Sequence, residues 1–185
     1  MTPVLQVRRT TLADPATEPL VRELTEEYVA RYGEGARQEM SRFPAAEFEP
    51  PGGLLLLLLA DGEPVAGGAY RRYDERTAEL KRMWTHSAHR RRGLARRVLA
   101  ELELAAAEAG YRRIHLTTGP RQPEAKGLYL ATGYTPLFDV TAEPAPFRPL
   151  PFEKHLPVGA LPSAPSSPSA PAVRSPRTVR KAPTP

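Results

Sequence analysis

Apolar residues fall along this chain in two rhythms. Between residues 17 and 32, Leu20, Leu24, Tyr28 and Tyr32 recur at every fourth position, and Gly33 and Gly35 follow. That is the spacing of one helix face with a stop behind it. A shorter helix is expected over 36–42, before Pro50-Pro51 and Gly52-Gly53 break the chain. The most regular stretch is 94–109, with apolar side chains at 94, 95, 98, 99, 102, 106 and 109 and Gly110 in the place of a left-handed cap. A third helix is expected over 123–132, opened by Pro123 and stopped by Gly133.

The other rhythm is that of strands. Residues 4–9 read as a short opening strand. Residues 54–60, six leucines and an alanine between Gly52-Gly53 and Asp61-Gly62, have the length and brackets of a strand buried on both faces. The Asp61-Gly62 turn leads into 64–73, which predicts a hairpin. Further strands are expected over 78–85, whose apolar members are Leu80, Met83 and Trp84, and over 112–118, with Ile114 and Leu116 on one face. Residues 134–140 and 152–156 are candidate closing strands, with four prolines between 144 and 151. The order predicts a mixed α/β sheet with helices on its faces. No internal repeat is visible.

Composition alters this picture mainly at the C-terminal end. Residues 157–185 hold eight prolines and five serines, and large apolar side chains are scarce after Leu161. Such a segment cannot bury enough surface to offset its ordering entropy, and disorder is expected there. The division is thus a domain over 1–156 and a Pro/Ser-rich tail over 157–185. The tail contributes four of the five net positive charges through Arg174, Arg177, Arg180 and Lys181, which leaves the body nearly neutral. A nucleic-acid binder using the basic tail ranks last, because the body lacks a basic, aromatic-interleaved surface pattern.

Cysteine is absent, which excludes disulfides, thiolate metal sites and cysteine nucleophiles. The first 30 residues carry Arg8, Arg9, Asp14, Glu18, Arg22 and Glu23 and have no pattern of a secretory leader. The longest apolar run is seven residues, against about 20 for a membrane span. A soluble, cytoplasmic protein with no membrane association is expected. His86 and His89 stand three apart without a third ligand nearby in sequence, so no metal site is expected.

The candidate chemistry lies at Arg90-Arg91-Arg92-Gly93-Leu94-Ala95-Arg96, between a strand and the long helix. The first amides of a helix lack intrahelical partners, and with the helix dipole they form an anion site. Gly93 and Ala95 let a phosphate approach the main chain, and the arginines add forked donors. Taken alone, the segment fits a phosphate or pyrophosphate site and a solvated basic turn equally well.

Arg90, Gly93 and Ala95 satisfy the pattern Arg/Gln, two residues, Gly, one residue, Gly/Ala that opens a helix after a strand in the GCN5-related N-acetyltransferase superfamily. The chain resembles that family here. The segment 79–89 (ELKRMWTHSAH) is similar to its central strand, and 125–134 (AKGLYLATGY) to its later helix. The resemblance covers roughly residues 3–156, with the specific motifs confined to 79–134. It implies an acyl-CoA N-acyltransferase-like fold: a mixed, mostly antiparallel central sheet, helices on both faces, and two parallel strands splayed at the cofactor site. It implies transfer of an acetyl group from acetyl-CoA to a primary amine by direct attack, and a homodimer is a common assembly in the family.

By the same resemblance, the amides from Arg91 through Arg96 would hold the CoA pyrophosphate, with Arg90 at the head of the motif. Met83, Trp84 and Thr85 would pair with the pantetheine arm. Gln122 and Lys126 lie where the family often contacts the cofactor near the cleft. A backbone N–H near Met83 would polarise the thioester carbonyl. Glu79 is the carboxylate placed to accept the amine's proton; its alternative is a salt bridge with Arg72 or Arg113. Tyr129 stands at the usual general-acid position; its alternative is a packed aromatic. Trp84 fits the core as well as a place beside the pantetheine. Tyr28, Tyr32 and Tyr70 fit an acceptor pocket as well as ordinary half-buried positions. The loop 119–123 lacks the asparagine that is common in the family, and Ser87 stands where proline is frequent. A non-catalytic acyl-CoA-binding sensor is the rival class, and the presence of both Glu79 and Tyr129 argues against it. The sequence leaves the acceptor unspecified.

Overall fold

The computed structural model describes residues 4–157, so the tail, beyond Pro157, lies outside the described residues. Seven strands form one sheet: β1 (Leu5–Thr10), β2 (Leu54–Ala60), β3 (Glu63–Arg72), β4 (Thr77–Thr85), β5 (Arg113–Thr118), β6 (Thr135–Pro136) and β7 (Leu150–His155). Their spatial order is β1-β2-β3-β4-β5-β7-β6. All pairings are antiparallel except β4 with β5. The helices are α1 (Glu18–Tyr32), α2 (Leu94–Glu108) and α3 (Pro123–Ala131). This is the mixed, mostly antiparallel sheet flanked by helices that the sequence predicts.

The run of leucines shows why the sheet is covered on both sides. Successive side chains of a strand point to opposite faces. Leu55, Leu57 and Leu59 pack with Leu20 and Leu24 of α1, Phe48, Ala69 and Trp84. Leu54, Leu56 and Leu58 join Val98, Leu99, Leu102 and Ala106 of α2, together with Ile114, Leu116 and Phe152. A strand of six leucines is stable here because a core lies on each face.

Elsewhere the chain departs from its periodicity. The expected helix over 36–42 is a 3-10 segment, Glu34–Met40, and a further 3-10 turn, Ala45–Phe48, buries Phe48. The candidate strand over 134–140 pairs only at Thr135 and Pro136. Pro136 has no N–H to offer the ladder, Leu137 still donates to the Pro151 carbonyl at 2.9 Å, and Asp139 then turns the chain by accepting from the Thr141 amide.

Two irregularities separate β4 from its neighbours. Its parallel pairing with β5 covers Thr77, Ala78 and Glu79 against Arg113, Ile114 and His115, and then stops. From Leu80 onward the two strands diverge. In addition, the β3–β4 register runs Ala69 opposite Lys81 and Gly67 opposite Trp84, so β4 carries one extra residue there. This β-bulge holds Arg82 at φ 56°, a left-handed conformation that non-glycine residues seldom adopt.

Candidate acyl-transfer site

The gap between β4 and β5 opens into a cleft of about 790 Å³. Its floor is Leu80, Lys81, Arg82 and Met83 of β4, and Thr117 and Thr118 of β5 form one wall. Gln122, Ala125 and Tyr129 of α3 close one side, while Tyr28, Tyr32 and Glu39 close the other. The bulge removes the extra residue of β4 from the β3 ladder, and the divergence removes the residues after Glu79 from β5. Arg82 and Met83 therefore have no register partner in either β3 or β5, which leaves main-chain groups there beside an open space of substrate size.

At the far end of β4 the chain enters α2 through two left-handed residues, Arg91 (φ 62°) and Gly93 (φ 77°). No side chain caps the helix at Gly93. The first intrahelical bond is Arg97 N–H to the Gly93 carbonyl, so the amides of Leu94, Ala95 and Arg96 have no helical partner. A Cβ on Gly93 would meet no atom within 4 Å, so its approach side is open, while its φ makes any side chain strained. Arg91 and Arg96 form no ion pair with any described residue. Arg90 is held by Glu27 at 2.8 Å, and Arg92 lies 3.4 Å from His89. An uncapped, positively flanked helix start beside an unpaired strand fits a pyrophosphate joined to an extended arm.

Tyr129 is buried, packs edge-on against Tyr134 and against Phe152, and lines the cleft; its hydroxyl hydrogen-bonds to no described residue. Burial pushes that hydroxyl well above the ordinary tyrosine value, so it stays protonated at neutral pH. Met83 and Gln122 line the cleft as well. The Gln122 side-chain oxygen is occupied by the Thr118 hydroxyl at 3.1 Å and the Gly119 amide at 3.0 Å. Lys126 donates to the Val140 carbonyl at 3.4 Å, outside the cleft lining. Trp84 turns into the α1 core, where its indole N–H donates to Glu23 at 3.0 Å; of the two places open to it, it takes the core. Thr85 ends the strand, half-buried. Tyr70 lies in the α2 core, while Tyr28 and Tyr32 face the cleft. Burial pushes the Tyr28 hydroxyl up to about 12.

Glu79 is 6% exposed and is not among the cleft-lining residues. It is clamped by Arg71 at 2.7 Å and Lys81 at 3.2 Å, partners other than Arg72 and Arg113. The carboxylate that does line the cleft is Glu39, 3.7 Å from Lys81 and 3.5 Å from Arg42. Reasoning from the sequence misses Glu39, Lys81 and Arg82. Glu39 lies in a short segment with no motif. The other two become neighbours on one face only through the bulge, and the sole hint of that is the spacing of three between Leu80 and Met83, where a regular strand calls for two.

A network of arginines joins the walls. Glu27 of α1 binds both Arg90 and Arg31, the latter at 2.9 Å. Arg31 also reaches Glu124 and the Arg121 carbonyl. Arg121 donates to the Arg31 carbonyl at 2.7 Å and, through its amide, to the Tyr32 hydroxyl at 3.0 Å. The C-terminal end of α1 is thus fixed to the α2 entry loop and to the start of α3. Among the described residues no three His, Asp or Glu side chains gather as a metal ion requires, and no helix is long and apolar enough to cross a membrane.

Known proteins share the fold and part of the sequence. An N-acetyltransferase of uncharacterized role from Bacillus subtilis, YsnE, is 36% identical over 77 residues, which is 40% of this chain and about half (51%) of the relative. A GNAT-family acetyltransferase from Staphylococcus aureus superposes with a TM-score of 0.64 at 13% identity, over 83% of this chain and 100% of the other. The PaiA N-acetyltransferase of Thermoplasma acidophilum, solved in complex with coenzyme A, gives 0.60 at 15% identity, over 82% and 99%. Residues 17–134, from the start of α1 through the Gly133-Tyr134 end of the later-helix motif, match the Acetyltransferase (GNAT) family. A chain in which that match takes in the diverging strands, the bulge and the uncapped helix start belongs to this family of acyltransferase enzymes.

Proposed function

We propose that the protein transfers an acetyl group from acetyl-CoA to a primary amine by direct attack. The observation that carries this reading is the open gap between β4 and β5, with the uncapped start of α2 at its mouth. Acetyl-CoA supplies a thioester, an acyl group already joined to a good leaving group. In this reading, amides from Arg91 through Arg96 hold the pyrophosphate, with Arg90 anchored to α1 beside them. Main-chain groups of Met83–Thr85 bind the extended arm as a neighbouring strand would. The bulge amide at Met83 polarises the carbonyl. Gln122 holds the Thr118–Gly119 corner against the cleft, and Lys126 adds charge one turn further along α3.

An alkylammonium group titrates near the lysine value of about 10.4, so the amine must lose a proton before or during attack. Glu39, facing the cleft, accepts it. Glu79 lies one ion pair behind and fixes Lys81 at the cleft floor. The Tyr129 hydroxyl gives its proton to the departing thiolate.

Calorimetric titration of acetyl-CoA tests the reading. The wild type is expected to bind in the micromolar range. Gly93→Glu, which adds strain and negative charge at the helix start, is expected to abolish binding while leaving the fold's circular dichroism unchanged. Absence of binding by the wild type would remove the acetyltransferase reading.

A further inference from the structure

The cations lining the cleft are unequally matched. Lys81 has Glu79 at 3.2 Å and Glu39 at 3.7 Å, and Arg42 has Glu39 at 3.5 Å. Arg82 is only 8% exposed, yet it makes no ion pair with any described residue. One nitrogen, Nη2, donates to the Met40 carbonyl at 2.8 Å, and the guanidinium lies 4.1 Å over the Phe48 ring. Its other donors hydrogen-bond to no described residue. Glu39 favours its charge only from beyond ion-pair distance; a buried cation without a carboxylate in contact is costly, and a guanidinium offers its donors as a planar fork that matches a carboxylate.

The bulge is what brings it there. Leu80 packs with the α2 core, while Lys81 contacts Phe43 and Glu39 on the α1 side. In a regular strand Arg82 would then return to the α2 face. The extra residue instead leaves Lys81 and Arg82 on the same side, and Met83 resumes the alternation toward Gly68, Val98 and Leu102.

We propose that the acceptor is a small amino-carboxylate, its carboxylate bound by Arg82 and its ammonium group by Glu39. This rests on the acetyl-transfer reading above and adds the acceptor's class. A bulky neutral amine would leave Arg82 unpaired, whereas an amino acid or a short ω-amino acid supplies the missing charge and buries little else. The fork faces the α1 side of the cleft, away from the α2 start that serves the pyrophosphate, so the two anions do not compete.

The test is a panel of free amino acids and C2–C6 ω-amino acids, each beside its carboxamide, with release of CoA thiol as the readout. For the best acceptor, the wild type is expected to prefer carboxylate over carboxamide by roughly 10- to 100-fold in kcat/KM, the worth of a charge-assisted pair. In Arg82→Gln the preference falls to near one while turnover of the carboxamide persists; Arg82→Lys keeps part of it. A purely structural role for Arg82 would lower both rates together and leave their ratio intact, which overturns the proposal. So does a wild type that binds acetyl-CoA and accepts no panel member, or accepts both forms equally. If Arg82→Gln fails to fold, judged by circular dichroism, the wild-type ratio and Arg82→Lys decide. Loss of acetyl-CoA binding by the wild type is the separate failure of the acetyl-transfer reading, and this proposal falls with it.

Discussion

Tyr129 and Glu23 show how single side chains are set by their surroundings. Tyr129 has an apolar shelf of Tyr134 and Phe152 beneath it and the cleft before it. In the proposed mechanism its hydroxyl, kept protonated by burial and free of described partners, gives its proton to the departing thiolate. Tyr129→Phe is expected to lower kcat on the order of 10²-fold or more, with acetyl-CoA affinity unchanged by calorimetry. Glu39→Gln should lower kcat further than Glu79→Gln in the same assay, because only the former removes a carboxylate from the cleft. Glu23 is structural. Burial raises its carboxyl, but hydrogen bonds from the Trp84 indole and the Ser87 amide and the charge of His86 outweigh burial, and the net position is below the ordinary 4.5. A lowered folded-state value means that Glu23 stabilises fully above pH 4.5 and loses that contribution as the pH falls through the folded value. Glu23→Gln is thus expected to cost about 1–3 kcal/mol at pH 7, and progressively less as the pH falls below the ordinary 4.5 and through the folded value, in urea titrations. At this scale the sequence is partly legible. The candidates around Gly93 and Tyr129 can be named, because resemblance to the family's short motifs marks them. Glu39 and Arg82 cannot, because the roles proposed for them depend on a register shift and on a segment forty residues away.

Elements are easier to read than residues, since a buried face imposes its period on the sequence. α1, α2 and the two-faced leucine strand all follow from that rule. The rule fails where hydrogen bonding, rather than burial, decides: Thr135 and Pro136 pair with β7, Leu137 adds one bond to the Pro151 carbonyl, and the turn at Asp139 then takes the chain away. The contact between α2 and β3 is a close junction of elements beside the site. A Cβ at Gly68 would sit 2.8 Å from Met83 Sδ, 2.9 Å from Leu102 and 3.1 Å from Val98. Gly68→Val is expected to destabilise by about 1–3 kcal/mol in chemical unfolding. It should also weaken acetyl-CoA binding, because relief of the clash pushes Met83 and its bulge away from the sheet.

For the molecule as a whole, one sheet carries two cores and one interruption. Three rungs join β4 to β5; beyond them the β1–β4 half and the β5–β7–β6 half are held together by α2, α3 and the arginine network that runs from α1 to both rims. A sheet edge left open in the interior is an unfinished ladder, and in the proposed reading its main-chain groups recognise an extended arm by shape and hydrogen bonds. Those contacts are the same whether the arm ends in a thioester or a thiol. The spent carrier therefore fits the gap as well as the charged one. Free CoA is expected to compete with acetyl-CoA, with an inhibition constant within several-fold of the acetyl-CoA Kd, and to be non-competitive toward the amine in initial-rate plots. In the acetyl-transfer reading, the feature that admits the acyl donor thus also makes turnover sensitive to the ratio of acetylated to free carrier around it.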